Sequence, residues 1–277
     1  MAFARLRLAA RSLPASIGVL LACAAAPALG EGEAALTARQ VMERVDARDD
    51  GDKSTQDIEM VLIDKRGAER VRKLRGYGRD VGKDEQSIMF FVSPADVEDT
   101  GFLTYDYKDP ARDDDQWLYL PALSRTKRIA SADKSGSFMG SDFSYADMTE
   151  RPLDHYQFTL MKETEVDGQP VWQIESVPTT EREKDETGYE KSVVFVRKDN
   201  FVVVRSVNWV KKGDRLKYFE VKKLEQIDGI WVATEMHMST RKGEETLHRT
   251  RLYAKNVRFN QPLREDFFTV RQLEKGP

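Results

Sequence analysis

Three histidines, His155, His237 and His248, are the side chains best suited to acid–base or metal chemistry, and they sit in separate segments without metal-ligand spacing. Asp113-Asp114-Asp115 and Asp154-His155 offer acid–base pairs. The first of these lies in a polar turn before a strand, where carboxylates are ordinarily solvated. Gly136-Ser137-Phe138-Met139-Gly140 has the flanking glycines of a nucleophile elbow but no serine between them at the centre. Gly76-Tyr77-Gly78 neither continues as a dinucleotide fingerprint nor precedes a helix. Asp49-Asp50-Gly51-Asp52 lacks the full ligand pattern and the closing Glu of a calcium loop, and reads as a solvated turn. No catalytic residue, metal or cofactor is assigned, and the chain is not expected to be an enzyme.

The most particular stretch runs from Gln116 to Arg151. Trp117 and Tyr119 alternate with Leu118 and Leu120 as in a strand, which Pro121 ends. A basic group follows, Arg125, Lys127 and Arg128, suited to an anionic headgroup, an acidic partner or simply a solvated face. Next comes a Ser- and Gly-rich loop that nevertheless carries Phe138, Met139, Phe143, Tyr145 and Met148. Surface loops are ordinarily polar because their backbone needs water. One this apolar must cover something or bind something. Two readings stand: a loop folded over its own core, or a lid over Lys134 to Tyr145 that closes an apolar cavity.

Residues Met1 to Gly30 read as a secretory signal. Arg5, Arg7 and Arg11 form the positive region, Leu13 to Ala26 the short apolar region, and Ala28-Leu29-Gly30 the small-residue cleavage site. The expected product is periplasmic. Cys23 is the single cysteine, and Leu20-Leu21-Ala22-Cys23 loosely resembles a lipoprotein box, which makes a lipid anchor the alternative. Cleavage after Gly30 leaves no thiol for disulfides or thiolate metal sites. Losing three Arg and no acid moves the formal net charge from −3 to −6, which argues against a nucleic-acid partner.

The elements that position these residues are mostly strands. Thr37 and Gln40 form a capping box that starts a helix, with an apolar stripe of Val41, Met42 and Val45. From Gln56 onward the pattern has period two, in roughly eleven strands. Asp167-Gly168, Lys198-Asp199-Asn200, Lys212-Gly213-Asp214, Asp228-Gly229 and Arg241-Lys242-Gly243 supply tight turns between them. Strands joined this way are antiparallel neighbours. A sheet so wide curls. The expected fold is therefore mainly β: an incomplete antiparallel β-barrel in a single domain over residues 31–277, with an N-terminal helix and the long lid-like loop. Met60, Phe90, Trp117 and Tyr119 are the strand candidates to line its cavity, and Phe138, Met139, Phe143 and Tyr145 the loop candidates.

Asp115-Gln116-Trp117-Leu118-Tyr119-Leu120-Pro121-Ala122-Leu123, with Asp133-Lys134-Ser135-Gly136-Ser137-Phe138-Met139-Gly140-Ser141-Asp142-Phe143-Ser144-Tyr145 behind it, resembles a group of LolA-like bacterial envelope proteins, often described as outer-membrane lipoprotein-sorting proteins. The resemblance extends from the helix near Val41 to Arg264-Glu265-Asp266-Phe267-Phe268. It implies a half-closed barrel around a hydrophobic cavity, and a carrier for lipoprotein acyl chains or another lipid-like ligand. The partners it implies are a lipid or acylated lipoprotein, with an inner-membrane transporter or an outer-membrane acceptor. An envelope sensor or accessory subunit of a transport system is the alternative on the same fold, since fold does not settle ligand.

The intact mass of the exported product checks the first of these expectations. A chain beginning at Glu31 is expected; a diacylglyceryl-modified Cys23 at the N-terminus would overturn it.

Overall fold

A computed structural model describes residues 35–277; the signal segment and Cys23 lie outside the described residues. Helix α1 (Ala38–Asp46) starts at Thr37, whose side chain accepts from the Gln40 N–H while the Gln40 side chain caps the Thr37 N–H. Thirteen strands follow: β1 (Lys53–Asp64), β2 (Glu69–Val81), β3 (Asp84–Ser93), β4 (Gly101–Asp106), β5 (Asp115–Leu120), β6 (Arg125–Arg128), β7 (Tyr156–Val166), β8 (Gln169–Pro178), β9 (Tyr189–Arg197), β10 (Val203–Val210), β11 (Arg215–Ile227), β12 (Ile230–Lys242) and β13 (Glu245–Phe259). A short helix α2 (Glu181–Thr187) interrupts the run after β8, and α3 (Val270–Lys275) ends the chain.

All thirteen strands form one antiparallel sheet in the order β6-β5-β4-β3-β2-β1-β13-β12-β11-β10-β9-β8-β7. The chain thus starts at the middle, meanders to one edge, crosses to the other edge through residues 129–155, and meanders back to pair β13 with β1. The two edges do not pair, so the barrel stays open. Asp167-Gly168 and Asp228-Gly229 are two-residue hairpin loops with positive φ at both positions, the geometry whose twist matches the strands. The sequence pattern missed β6 because Arg125-Thr126-Lys127-Arg128 has no apolar alternation. Its charges suit an edge strand, where they discourage pairing with another chain.

Register fixes which face each residue takes. Ile174, Val194, Ser206, Phe219, Met238, Thr250 and Leu62 are successive cross-strand partners from β8 to β1, so they share the inner, concave face. Met89, Phe102 and Leu118 continue that face across β3–β5, packed with Met60 and Leu74. Helix α1 covers the β8–β9 end, burying Ala38 and Val41 against Trp172, Ile174, Val194 and Val196.

The outer face of β3–β5 is closed as well. Ile88, Leu103 and Trp117 pair in one row and Phe90, Gly101 and Tyr119 in the next, and the C-terminal segment packs over both through Leu263, Phe267, Phe268, Val270 and Leu273. Phe90, Trp117 and Tyr119 therefore face α3 rather than the concavity. Strands alternate, and the inner positions fall to their neighbours Met89, Leu118 and Leu120. Gly101 makes this docking feasible: a Cβ there would stand 2.6 Å from Leu273 Cδ1. Tyr105 OH donates to the Phe268 carbonyl at 2.7 Å and fastens the segment. Phe268 is 1% exposed, and its truncation to Ala should cost about 3–5 kcal/mol. Chemical denaturation checks the loss; a change below about 1 kcal/mol would show that the C-terminal cover is dispensable.

Candidate functional site

The inner face and the crossing segment form the candidate site. Phe138, Met139, Tyr145 and Met148 pack against Met60, Leu74, Phe91, Phe102 and Leu118. Phe143 joins the neighbouring cluster with Phe219, Val221 and Met238. Phe138 is 1% exposed, and its ring centroid lies 5.1 Å from that of Phe102 and 5.7 Å from that of Tyr145. The segment is a strap seated in the concavity, filling it with its own side chains. Burying rings such as Phe138 and Phe143 contributes roughly 1.5–3 kcal/mol each.

A segment inside a fold must satisfy its backbone without water, and here named side chains do so. Asp142 is the principal anchor. Its side chain accepts from Thr240 Oγ1 at 2.5 Å and Thr250 Oγ1 at 2.7 Å and meets His248 Nδ1 at 2.7 Å. Its own N–H donates to Thr250 Oγ1 at 2.9 Å. Gln116 Nε2 donates to the Tyr145 carbonyl at 2.9 Å, and Arg72 donates to the Met139 carbonyl. Within the strap, Ser137 and Ser144 form an isolated antiparallel bridge, and Phe138 N donates to Phe143 O at 2.8 Å.

The glycines act differently from what flexibility alone suggests. At Gly136 a Cβ would stand 2.9 Å from the Asp133 carbonyl, so this glycine permits a close approach. Gly140 has φ +76° with open space around it, and the preceding Met139 is also left-handed at φ 49°. The conformationally unusual point of the strap is therefore Met139-Gly140.

A second anchor is ionic. Asp147 accepts from Ser144 N at 2.8 Å, from Tyr189 OH at 2.9 Å and from Arg151 Nη2 at 3.3 Å. Burial penalises its charge, but Lys217 and Arg151 outweigh that penalty and hold the carboxyl below the usual range. Lys134, 2% exposed, bonds Glu186 of α2 and ties down the start of the strap.

Most of the remaining sequence candidates are engaged in ion pairs or hydrogen bonds. Lys127 pairs with Asp133 and Arg128 with Asp115, while Arg125 is exposed at the sheet edge. Asp113 pairs with Arg182, Asp114 accepts from Tyr107 N, and Asp154 pairs with Arg39. The three histidines stay apart, each beside one acid: His155 with Glu183, His237 with Glu235, His248 with Asp142. Among the described residues no group of acids, histidines and cysteines is arranged to hold a metal. Asp142 and the Thr240–His248–Thr250 set that receives it escaped the sequence reading. Their signal was an acid inside an apolar loop, which has no partner until register brings β12 and β13 together.

Comparison with known proteins agrees with this architecture. A family model described as an uncharacterized protein matches residues 83–275. A DUF1329 family protein from Desulfovibrio piger is 33% identical, with 85% of this chain and 97% of that one covered and a TM-score of 0.77. The chain belongs to the DUF1329 family. A domain from Vibrio parahaemolyticus, described as an outer membrane lipoprotein-sorting protein, is 32% identical over 86% of this chain and 98% of that one, also at TM-score 0.77. A LolA superfamily protein from Nitrosomonas europaea shares the fold at 16% identity and TM-score 0.65, with 86% of this chain and all of that chain covered. No curated protein matches. The shared fold is thus one found in a protein described as lipoprotein-sorting.

Two variants check the anchors. Asp142→Ala leaves Thr240 and Thr250 hydroxyls buried without their acceptor and should cost about 3 kcal/mol. An unchanged denaturation midpoint would remove Asp142 from this role. Asp147, with its carboxyl held low, contributes stability that is present above the unfolded value near 4 and lost as pH falls through its depressed folded value. Acid unfolding of Asp147→Asn should consequently be less steep than that of the parent; parallel curves would contradict the ion-pair assignment.

Proposed function

We propose that this protein is a periplasmic carrier or binding protein for acyl chains, either of lipoproteins or of another lipid, and that the strap is the ligand's competitor for the inner face. The observation that carries this reading is the seating of Phe138, Met139 and Phe143 on an apolar wall built by other elements. Such a wall can exchange one set of apolar contacts for another. The description of the Vibrio relative, an outer membrane lipoprotein-sorting protein domain, supports the choice of an acyl ligand, and the N-terminal signal pattern supports the compartment.

Magnitudes narrow the ligand. About ten buried methylenes at about 0.8 kcal/mol each gain roughly 8 kcal/mol, equivalent to about micromolar binding. Exposing two phenylalanine rings returns roughly 3–6 kcal/mol of that. A single short chain is therefore a weak ligand, and long or paired chains are the ones that displace the strap. Delivery to an outer-membrane acceptor, or receipt from an inner-membrane transporter, then needs only a partner that favours the seated strap.

Loosening the anchor tests the competition. In Asp142→Asn the strap is held less firmly, so a fluorescent long-chain acyl probe should bind more tightly, by about tenfold for each 1.4 kcal/mol of weakened closure. Thermal stability of the empty protein should fall at the same time. If neither the parent nor the variant binds the probe at concentrations up to its solubility, the carrier reading fails.

A further inference from the structure

One row of the inner face is polar throughout. Ser176, Ser192, Asn208, Lys217, Thr240 and His248 are successive cross-strand partners from β8 to β13. They lie directly beside the Ile174–Val194–Ser206–Phe219–Met238–Thr250 row. A polar row next to an apolar one, on one concave wall, is the pattern an amphiphile requires.

Lys217 is the centre of that row. Its Nζ donates to Tyr189 OH at 3.3 Å, lies 5.3 Å from the centre of the Tyr189 ring, and forms no ion pair among the described residues. Arg215, two residues earlier on the same face, donates among the described residues only to the Lys212 carbonyl at 3.3–3.4 Å. By contrast, Lys184 and Lys211 nearby are occupied by Glu181, Glu190 and Asp185. A pocket of about 370 Å³ opens over Lys217 and Arg215, between the strap and the β10–β11 turn. Its size falls within the range of small-molecule sites. Of the two acids that line it, Asp142 is engaged with Thr240, Thr250 and His248, and Asp185 with Lys211. Strap residues Ser135, Ser137 and Ser141 line the same space. Burial lowers the pKa of Lys217 although Asp147 and Asp142 act to raise it, so its charge is under-compensated where it sits.

We propose that this pocket is an anion site for a phosphate group, and that its physiological occupant is the headgroup of a phospholipid whose chains lie on the adjacent apolar row. Lys217 and Arg215 provide the charge, since hydrogen bonds between ionised partners are the strong ones. The strap forms one wall of the pocket and also covers the apolar row. A ligand that displaced Phe138 and Phe143 would thus bring its headgroup to the same end of the concavity. This inference rests on the carrier reading for the lipid, but the anion site stands on the pocket alone.

The test uses the mature chain and three probes: inorganic phosphate, short-chain phosphatidylglycerol, and an uncharged diacylglycerol of equal chain length. Binding is read by calorimetry or tryptophan fluorescence at low and high salt. Phosphatidylglycerol should bind at least tenfold more tightly than diacylglycerol, and Lys217→Gln should abolish that preference. Arg215→Gln, at an exposed position, should reduce it severalfold. Phosphate binding as tightly as the lipid, and lost in Lys217→Gln, would support the anion site but overturn the headgroup as its occupant. Equal affinity for the two lipids with no phosphate binding would overturn the site while leaving the carrier reading intact. Phosphate binding without either lipid would support the site and sink the carrier.

Discussion

The grip of Asp142 on Thr240, Thr250 and His248 is the constraint on which the rest of the inner face depends. An open sheet of thirteen strands has a broad concave wall whose apolar side chains must be covered. The chain covers it with the connection between its two edges, and a connection is poor material for the purpose. Its backbone brings polar groups into a dry space, where each unpaired one costs about 1–3 kcal/mol. Asp142, Gln116 and Arg72 meet that demand, and only then can Phe138 and Phe143 be seated. Polar anchoring and apolar filling are thus two halves of one solution. A strap held by a few strong points can also be released as a unit, which a continuous hydrophobic interface cannot.

Charge is distributed unevenly around this strap. Asp147 is stabilised as a charged group, because Lys217 and Arg151 overcome the cost of burying it. Near the helix end the opposite holds: burial, reinforced by Glu85, Asp80, Glu150 and Asp49, pushes the Asp50 carboxyl up to about 9. A raised carboxyl detracts from stability progressively as pH climbs from its unfolded value near 4 toward that folded value. The two acids therefore act in opposite senses with pH. Lys217, which forms no ion pair among the described residues, and Arg215 distinguish the pocket end of the concavity from the apolar middle.

Much of the architecture was legible in the residues. The Thr37–Gln40 capping box, the Asp-Gly hairpins and the period-two alternation led directly to a helix followed by an open antiparallel barrel, because each is a local rule. Edge strand β6 was not legible, since its Arg125-Thr126-Lys127-Arg128 sequence carries charge where a pattern search needs alternation. Nor could alternation say which face turns inward. Trp117, Tyr119 and Phe90 are as apolar as Leu118 and Phe102, and the choice between them is made by the C-terminal segment, whose Phe268 and Leu273 occupy the outer side. The oddity of Phe138 and Phe143 in a Ser-Gly loop was visible; that they fill the concavity required the register of strands distant in the chain. The polar row through Lys217 was hidden for the same reason, as its members come from six different strands.

Hydrogen–deuterium exchange across the strap, with and without a saturating long-chain phospholipid, shows whether ligand and strap compete. In the empty protein the amides of Phe138, Asp142 and Ala146 donate to Phe143 O, Thr250 Oγ1 and Lys134 O and should exchange slowly. If ligand and strap compete for the inner face, lipid should accelerate exchange at these amides while the inner strands β3–β5 and β11–β13 remain protected. Unchanged or slower exchange throughout the strap in the lipid-bound protein would show that the lipid leaves the strap seated.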